Sequence, residues 1–394
     1  METQCIVMTS TFYPPFHLGG DAVHVKYLAE ELVRRGHEVH VLHSMDAYDL
    51  KTKGGRPKPT RSDVSTHAVE TRMGSSSAAM SYLTGTNRAA ERRLRRLITE
   101  VRPDWIHHHN ISLLGHEILS IGKVPRIYTA HDHWLVCPRN DMLYQGREPC
   151  RGRECTRCSI TSGRPPQLWR NGTFHQNIGG IDHIIAPSQY MAGVLKHWMD
   201  LESTVLPNFV PSAGQVEERE EAPHFVFAGV LEKHKGLDLL LKAYAESEVE
   251  AELHVLGLGA LGPMVQEYER KTQGKVKGLG FLQRDALLPE VASALCLAAP
   301  SACCENSPLA CIEALSMGVP LMVSPKGGLP ELVSGPCGLV ADLTVAGIVS
   351  ALRMFEEEAD MRTAMAENAR RRYEEMHTPE RYIARYLSLL EGSS

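Results

Sequence analysis

The sequence predicts an α/β chain folded as two doubly wound halves, and three observations carry that expectation. With 394 residues, the chain can hold two domains of ordinary size, each with its own core. Short apolar runs alternate with stretches of helical periodicity, as parallel sheets with crossover helices require. The alternation stops at LPNFVPS (206–212), where prolines precede the charge run EERE (217–220), and restarts at HFVFAG. The expected domains are 1–207 and 208–376, with the helix-like TPERYIARYLSLLEG inside the remaining segment, 377–394.

Taken in order, CIVMTS is a buried strand, DAVHVKYLAEELVRRG a helix and HEVHVLH the next strand, one βαβ start. Between them PPFHLGG places Gly19 and Gly20 in a loop without side chains, so the backbone can approach a phosphate or sugar closely. Residues 50–66, with KTKGGRPKPTRS, are expected to be a surface loop. NRAAERRLRRLITEVRPD (87–104) sets Leu94, Leu97, Ile98 and Val101 at helical spacing among five arginines. This is a basic amphipathic helix, packed on its sheet or touching a membrane. WIHHHN and RIYTAHDHW supply further strand ends, with His107 to His109 expected to be incidental rather than ligands, since alternate strand residues face opposite ways. In the second half HFVFAG, AELHVLG, VKGLG, CLAAPS and PLMVS are strands, with GLDLLLKAYAE, ALLPEVASA and PLACIEALSMG the helices between them.

Composition narrows the function classes. CIVMTS has no basic lead, and no apolar run reaches the ~18 residues of a membrane span. A cytoplasmic protein is expected, with peripheral attachment to the cytoplasmic membrane face as the alternative. Residues 1–212 carry 25 basic and 20 acidic side chains, a balance of +5, and the remainder carries 17 and 27, or −10. The basic excess is too sparse, and too bare of recognition motifs, for nucleic acid, but it suits anionic lipid or a diphosphate-bearing acceptor. Ten cysteines in such a chain are thiols or metal ligands rather than disulfides.

The stretch CCENSPLACIEALSMGVPLMVSPKGGLPE (303–331) concentrates the chemistry. Ser307 and Pro308 are expected as N-cap and first helical residue, which makes the amides of Asn306, Ser307, Pro308 and Leu309's turn, with the helix dipole, an anion site. Glu313 then stands about 7.5 Å up the helix axis from Pro308, while Glu305 stays in the loop. A nucleotide diphosphate fits that span, its phosphates on the turn, its ribose diol on Glu313 and its sugar near Glu305. A glutamate pair alone would more often be solvated helix positions; Gly318, Pro320, Gly327, Gly328 and Glu331 make the pattern specific.

Cys137, Cys150, Cys155 and Cys158 form a second constellation, C-x12-C-x4-C-x2-C, in a long polar loop that needs something to order it. Four thiolates there are a candidate structural zinc site, an iron–sulfur site, or free and redox-active thiols. Cys303 and Cys304, like Cys5, Cys296, Cys311 and Cys337, are expected as small buried residues.

Over nearly its whole length the chain resembles glycosyltransferase family 4, retaining enzymes of the GT-B fold. The motifs are PPFHLGG (14–20), RGHEVHVL (35–42), TAHDHW (129–134), FAGVLEKHKGLDLLLKA (227–243) and the Glu305/Glu313 stretch. The resemblance implies two Rossmann-like domains facing a central cleft, the first on the acceptor side and the second binding a nucleotide sugar, with 377–394 crossing back to the first. It implies Lys235 as the cation for the departing diphosphate, Glu305 at the donor sugar and His131 at the transferred sugar. Val230 departs from the family pattern, which has arginine there, so Lys233, His234 or Arg284 would have to substitute. No DxD motif is present and no cofactor is implied for the chemistry. Similar cysteine loops after HD-W-CP mark a subgroup. The implied function is transfer of a sugar to a hydroxyl of a glycan or lipid-linked acceptor in polysaccharide or glycolipid assembly. A small natural-product acceptor and a non-catalytic sugar-nucleotide-binding scaffold are the alternatives.

Overall fold

A computed structural model of the chain describes residues 3–52, 55–58, 62–145, 148–150, 152, 154–214 and 222–391. It contains two compact units, Met1–Leu206 with Ile383–Ser394, and Pro207–Tyr382. The charge run at 217–220 lies outside the described residues.

In the first unit, β1 (Cys5–Thr9), β2 (Glu38–Ser44), β3 (Ser65–Val69), β4 (Trp105–His108) and β5 (Arg126–Thr129) join β8 (His183–Ala186) and β9 (Thr204–Val205) in one parallel sheet. Their order is β3-β2-β1-β4-β5-β8-β9. A two-stranded ladder, β6 (Leu143–Tyr144) and β7 (Glu148–Pro149), stands apart. In the second unit β10 (His224–Ala228), β11 (Glu252–Leu256), β12 (Val276–Gly280), β13 (Cys296–Ala299), β14 (Leu321–Val323) and β15 (Gly338–Val340) are ordered β12-β11-β10-β13-β14-β15. Every pair within the two large sheets is parallel, and strand order reverses between β1 and β4 and between β10 and β13. Ligands of open α/β sheets bind at the C-terminal strand ends beside such reversals. In this chain those ends lead into the histidine run after β4, the Lys235 turn after β10 and the Glu305 loop after β13.

The strands form where apolar residues run continuously, as a sheet covered on both faces demands. Ile6, Val7 and Met8 are fully buried, as are Phe225 and Val226. Asn87 caps the Arg88–Val101 helix through Ala90 N at 3.1 Å, and its Ala90, Leu94 and Leu97 enter the core, with Ile98 and Val101 against it. Its apolar face is therefore spent on the sheet, and Arg92, Arg95 and Arg96 stay in solvent.

Two sequence expectations are corrected. The loop over 50–66 is bounded by structure: Met45–Thr52 is a helix that continues straight from β2, and β3 begins at Ser65. Buried Met45, Ala47 and Tyr48 extend the apolar run of the strand and so hide the change of period, while Ser44 Oγ accepts from Ala47 N at 3.1 Å. The cysteine loop likewise orders itself, through the β6–β7 ladder and a Cys155–Thr161 helix.

Leu97→Ala should destabilise the first unit by about 2–5 kcal/mol, as a buried leucine lost from a core does. Arg96→Ala should stay within about 0.5 kcal/mol. Urea unfolding followed by tryptophan fluorescence compares them, and equal effects would place the helix's apolar face elsewhere.

Candidate active site

Two glycines build the second unit's site. Beyond β10 the chain makes a single 3-10 turn, Lys233–Lys235, ended by Gly236 at φ 74°. A Cβ on Gly236 would stand 1.8 Å from Pro300 O, so only glycine lets the Lys235 turn lie on the end of β13. Hydrogen bonds stitch the contact: His234 O accepts from Ala302 N at 2.9 Å, Cys303 N at 3.1 Å and Ser301 Oγ at 3.2 Å. The second glycine is Gly327, at φ 61°, where a Cβ would meet Glu305 O at 2.2 Å. Gly328 N donates to that same carbonyl at 2.7 Å. GGLPE thus fixes the backbone of Glu305.

These contacts put the Lys235 ammonium on the Glu305 carboxylate, which also accepts from Ser301 Oγ at 2.9 Å. Burial alone would raise the Glu305 carboxyl, but Lys235, Ser301 and Cys303 outweigh it and hold it below its ordinary value. Burial alone would lower Lys235, and Glu305 outweighs that too, leaving the ammonium raised. Both groups are ionised at neutral pH. Burial and the Glu305 charge push the neighbouring Cys303 thiol up to about 11, so it is protonated.

The helix beside them is Leu309–Ser316. Pro308, expected as its first residue, is instead its N-cap: the ring sets φ at −67°, but ψ of 130° is extended, and Pro308 O accepts the first helical bond from Ile312 N. Ser307 is therefore one residue outside the cap. Its Oγ is buried with no hydrogen-bond partner among the described residues, and its carbonyl accepts from Asn208 Nδ2 at 2.9 Å. Asn306 is buried beside it. One turn into the helix, Glu313 Oε1 meets Arg284 Nε at 3.4 Å, and Arg284 also donates to Pro211 O at 3.1 Å. Val230, Lys233 and His234 are exposed, whereas Arg284 reaches Glu313 on this helix. Asn208 was hidden within a linker-like segment, with no sequence signal of its own.

In the first unit the β1/β4 reversal gathers histidines. His109 Nδ1 and His131 Nε2 are 2.9 Å apart, His107 and His109 stack at 3.9 Å, and His24 packs edge-on to His131 at 5.2 Å. His107 and His109 share a face, as residues two apart in an extended chain do. They are packed partners of His131 rather than incidental residues. Burial lowers His131 to about 4, opposed by Asp21, so its ring is neutral near pH 7. Asp132 accepts from Asn140 Nδ2 at 2.6 Å and Trp134 N at 2.9 Å, and burial raises it to about 6. Asn110 Nδ2 reaches Asp21 at 2.9 Å. Gly19 and Gly20 differ from expectation: Gly19 is the N-cap of the Gly20–Arg34 helix, with φ −148°, and Gly20 is helical. Neither occupies a conformation that requires glycine.

The cysteine loop surrounds a cavity of about 320 Å³ lined by Cys137, Cys150, Cys155, Arg170 and Phe174. Two of the thiols have backbone neighbours: Gln145 N donates to Cys158 Sγ at 3.1 Å, and Cys150 Sγ lies 3.2 Å from Gly152 O. Among the described residues, the sets of three ligand-type atoms within 4.8 Å of one another are Cys5/Glu38/His40 and His224/His254/Glu290, not this loop. Arg170 lies about 5 Å from the Trp134, Trp169 and Phe174 rings, and burial lowers its guanidinium to about 10. Of the other cysteines, Cys296, Cys311 and Cys337 are buried as expected, whereas Cys5, Cys303 and Cys304 are half-buried.

The ion pair has a pH signature. Glu305, held below its ordinary 4.5, contributes stability above that pH and loses it as the pH falls through its depressed value. Lys235 contributes until the pH rises past its raised value, above 10.5. Lys235→Met should cost about 1–3 kcal/mol at pH 7 by leaving the carboxylate unpaired. The gap to the wild type should narrow below pH 4.5, and a gap constant from pH 7 to pH 3 in denaturant titrations would contradict the pairing.

The chain's relatives place it in a family and a fold. Glycosyltransferase Family 4 matches residues 18–213 and Glycosyl transferases group 1 matches 212–372. An uncharacterized glycosyltransferase, MJ1607, of Methanocaldococcus jannaschii is 25% identical over 342 residues, covering 83% of this chain and 82% of its own. Sucrose-phosphate synthase from Thermosynechococcus elongatus superposes with a TM-score of 0.75 at 16% identity, over 99% of this chain and 100% of that one. HepE of Anabaena, solved in complex with UDP-glucose, does so with a TM-score of 0.67 at 15% identity, over 99% and 100%. With two parallel Rossmann-like sheets, and with adjoining family matches that run from residue 18 to residue 372, the chain is a GT-B glycosyltransferase and belongs to glycosyltransferase family 4.

Proposed function

We propose that the chain is a retaining enzyme that moves a sugar from a nucleotide-sugar donor to a hydroxyl of a glycan or lipid-linked acceptor, in polysaccharide or glycolipid biosynthesis. The observation that carries this reading is the Lys235–Glu305 pair set at the start of the Leu309–Ser316 helix, with Arg284 and Glu313 one turn on. Lys235 and the amides of Asn306, Ser307 and Leu309, outside the helical ladder and at its positive end, suit a diphosphate. Ser307 Oγ supplies a further buried hydroxyl. Glu313 accepts from ribose hydroxyls, and Arg284 stands where it can serve in place of the arginine that Val230 lacks. That UDP-glucose is bound by HepE, a structural neighbour, supports the donor class.

In the reaction the sugar C1–O bond to the diphosphate breaks and a bond from C1 to the acceptor oxygen forms on the same face. The acceptor proton passes to the departing phosphate oxygen. Lys235 stabilises the charge that grows on that oxygen, Glu305 orients sugar hydroxyls, and neutral His131, with Gly19 and Gly20 in the same unit, contacts the transferred sugar from the acceptor-side domain. No step calls for a cofactor. The +5 balance of residues 1–212 and the exposed arginines of the Arg88–Val101 helix favour an acceptor carrying lipid or diphosphate, at the cytoplasmic face of a membrane. Contact with lipid would be electrostatic, since that helix's apolar face is in the core. Among the described residues no helix is long and apolar enough to cross a membrane.

A structural metal at Cys137, Cys150, Cys155 and Cys158, zinc ahead of an iron–sulfur cluster, is supported by the donor set and by the buried Arg170 cation facing Cys137 and Cys155. Four thiolates around zinc carry a net negative charge that such a cation offsets.

A thermal-shift panel of UDP-, GDP-, ADP- and TDP-sugars, followed by assay of released nucleotide, tests the donor reading. One donor should stabilise the protein and be slowly hydrolysed. Glu313→Ala should then weaken its binding about tenfold, and Lys235→Ala should lower turnover about 10²–10³-fold in protein that still melts cooperatively. No stabilisation by any of the four would refute the donor site.

A further inference from the structure

At the other ends of the second sheet's strands lies a cluster that sugar transfer does not use. His224 opens β10, His254 lies on β11, and Glu290 stands in the last turn of the Arg284–Ala292 helix. All three are buried, at 0, 4 and 3% exposure, and one ligand-type atom of each lies within 4.8 Å of the other two. The two imidazoles stack with centroids 4.2 Å apart and planes inclined by 12°.

Every ring nitrogen faces an oxygen. His254 Nδ1 meets Glu290 Oε1, and its Nε2 is 2.8 Å from Glu252 Oε2. His224 Nδ1 is 3.0 Å from Ala222 O, and its Nε2 is 3.0 Å from Glu290 O and 3.8 Å from Glu290 Oε1. A neutral imidazole has one N–H to give. Protons alone can satisfy all four approaches only with His224 as an imidazolium together with either a second imidazolium at His254 or a carboxyl that surrenders its charge, and both arrangements are costly away from water. A divalent cation at His224 Nε2, His254 Nδ1 and Glu290 Oε1 replaces the two inner protons and leaves each ring one outer N–H. Those outer N–H groups already have acceptors, the Glu252 carboxylate and the Ala222 carbonyl. Metal-ligating histidines are oriented by such partners.

We propose that His224, His254 and Glu290 form a buried structural site for a divalent transition metal, with zinc the best match. Two imidazole nitrogens and a carboxylate suit zinc, whereas calcium and magnesium prefer all-oxygen shells. The Glu290 backbone carbonyl is a further oxygen beside His224 Nε2. Lys277, 2.6 Å from Glu252 Oε2, completes the outer layer. Loading exchanges one dication for two protons released to solvent, with no change of oxidation state. The role is structural because the cluster is closed to solvent and sits at N-terminal strand ends, whereas ligands of such sheets bind at the C-terminal ends. The ion ties β10 and β11 to the helix whose first residue, Arg284, meets Glu313.

Chelator-stripped full-length protein titrated with Co²⁺ should bind, besides any thiolate-held ion marked by sulfur-to-cobalt charge transfer in the near ultraviolet, one equivalent whose visible bands come without that transfer. That equivalent should persist in Cys150→Ser/Cys155→Ser and disappear in His254→Gln and in Glu290→Gln. Binding undiminished in both of the latter would overturn the proposal. As a check independent of the variants' folding, zinc-edge anomalous diffraction from wild-type crystals grown with Zn²⁺ should give a peak between His224, His254 and Glu290. Its absence there would overturn the proposal equally.

Discussion

The ion pair between Lys235 and Glu305 is the constraint around which the second unit's site is built. The two residues are 70 positions apart and come from the ends of different strands, β10 and β13. They meet because strand order reverses between those two strands, which leaves their C-terminal loops side by side. Burial disfavours each charge, and the partner charge more than offsets it. A buried pair of this kind contributes little net stability, because desolvation offsets the attraction. Its value is preorganisation: a cation and an anion are held at fixed positions beside a helix start, as the proposed diphosphate and sugar contacts would require.

Such positioning demands close backbone approach, and the sequence meets it with glycine at two places. Gly236 rests on Pro300 O and Gly327 on Glu305 O, each at a distance that a Cβ would forbid and each at positive φ. The lysine turn and the GGLPE turn thereby press on the Glu305 loop, one through Pro300 and the other through Glu305 itself. The first unit solves a similar problem with imidazoles. His107, His109 and His131 pack ring against ring, and their burial keeps them neutral, so a dense cluster of basic groups carries no mutual repulsion at neutral pH.

Much of this was legible in the sequence where chemistry and local pattern coincide. The strands after which Lys235 and Glu305 lie are apolar runs ending in glycine or proline, and Glu313 falls one helical turn beyond a proline that marks a helix start. The position of that proline was misjudged by one residue, because its fixed φ suits both the N-cap and the first helical position while ψ separates them. Gly19 and Gly20 suggested an open loop, yet they begin a helix, since glycine tolerates a helix start as readily as a turn. Asn208 carried no signal, because its partner Ser307 is 99 residues away and is set by the sheet rather than by spacing, and Arg284 was one of three candidate cations whose partner Glu313, 29 residues away, spacing could not supply. The cysteine spacing suggested a four-thiolate centre, and the fold sets Cys137, Cys150 and Cys155 around one cavity.

The His224, His254 and Glu290 cluster shows why such sites escape sequence reading altogether. His224 and His254 lie in separate strands, within runs whose neighbours are Phe, Val and Leu, so each looks like a lone polar residue in a buried strand. Glu290 follows Pro289 near a helix end, where a glutamate is ordinarily solvated. Parallel register brings them together: His224 pairs with Glu252 and Val226 with His254, so both rings stand on the same face one pleat apart, and the helix lays Glu290 over them. The C-terminal ends of these strands carry the charges of the proposed donor site. The opposite ends bury donors and acceptors in a ratio that protons satisfy poorly and a dication satisfies well, so the two ends of one sheet divide binding from structural support.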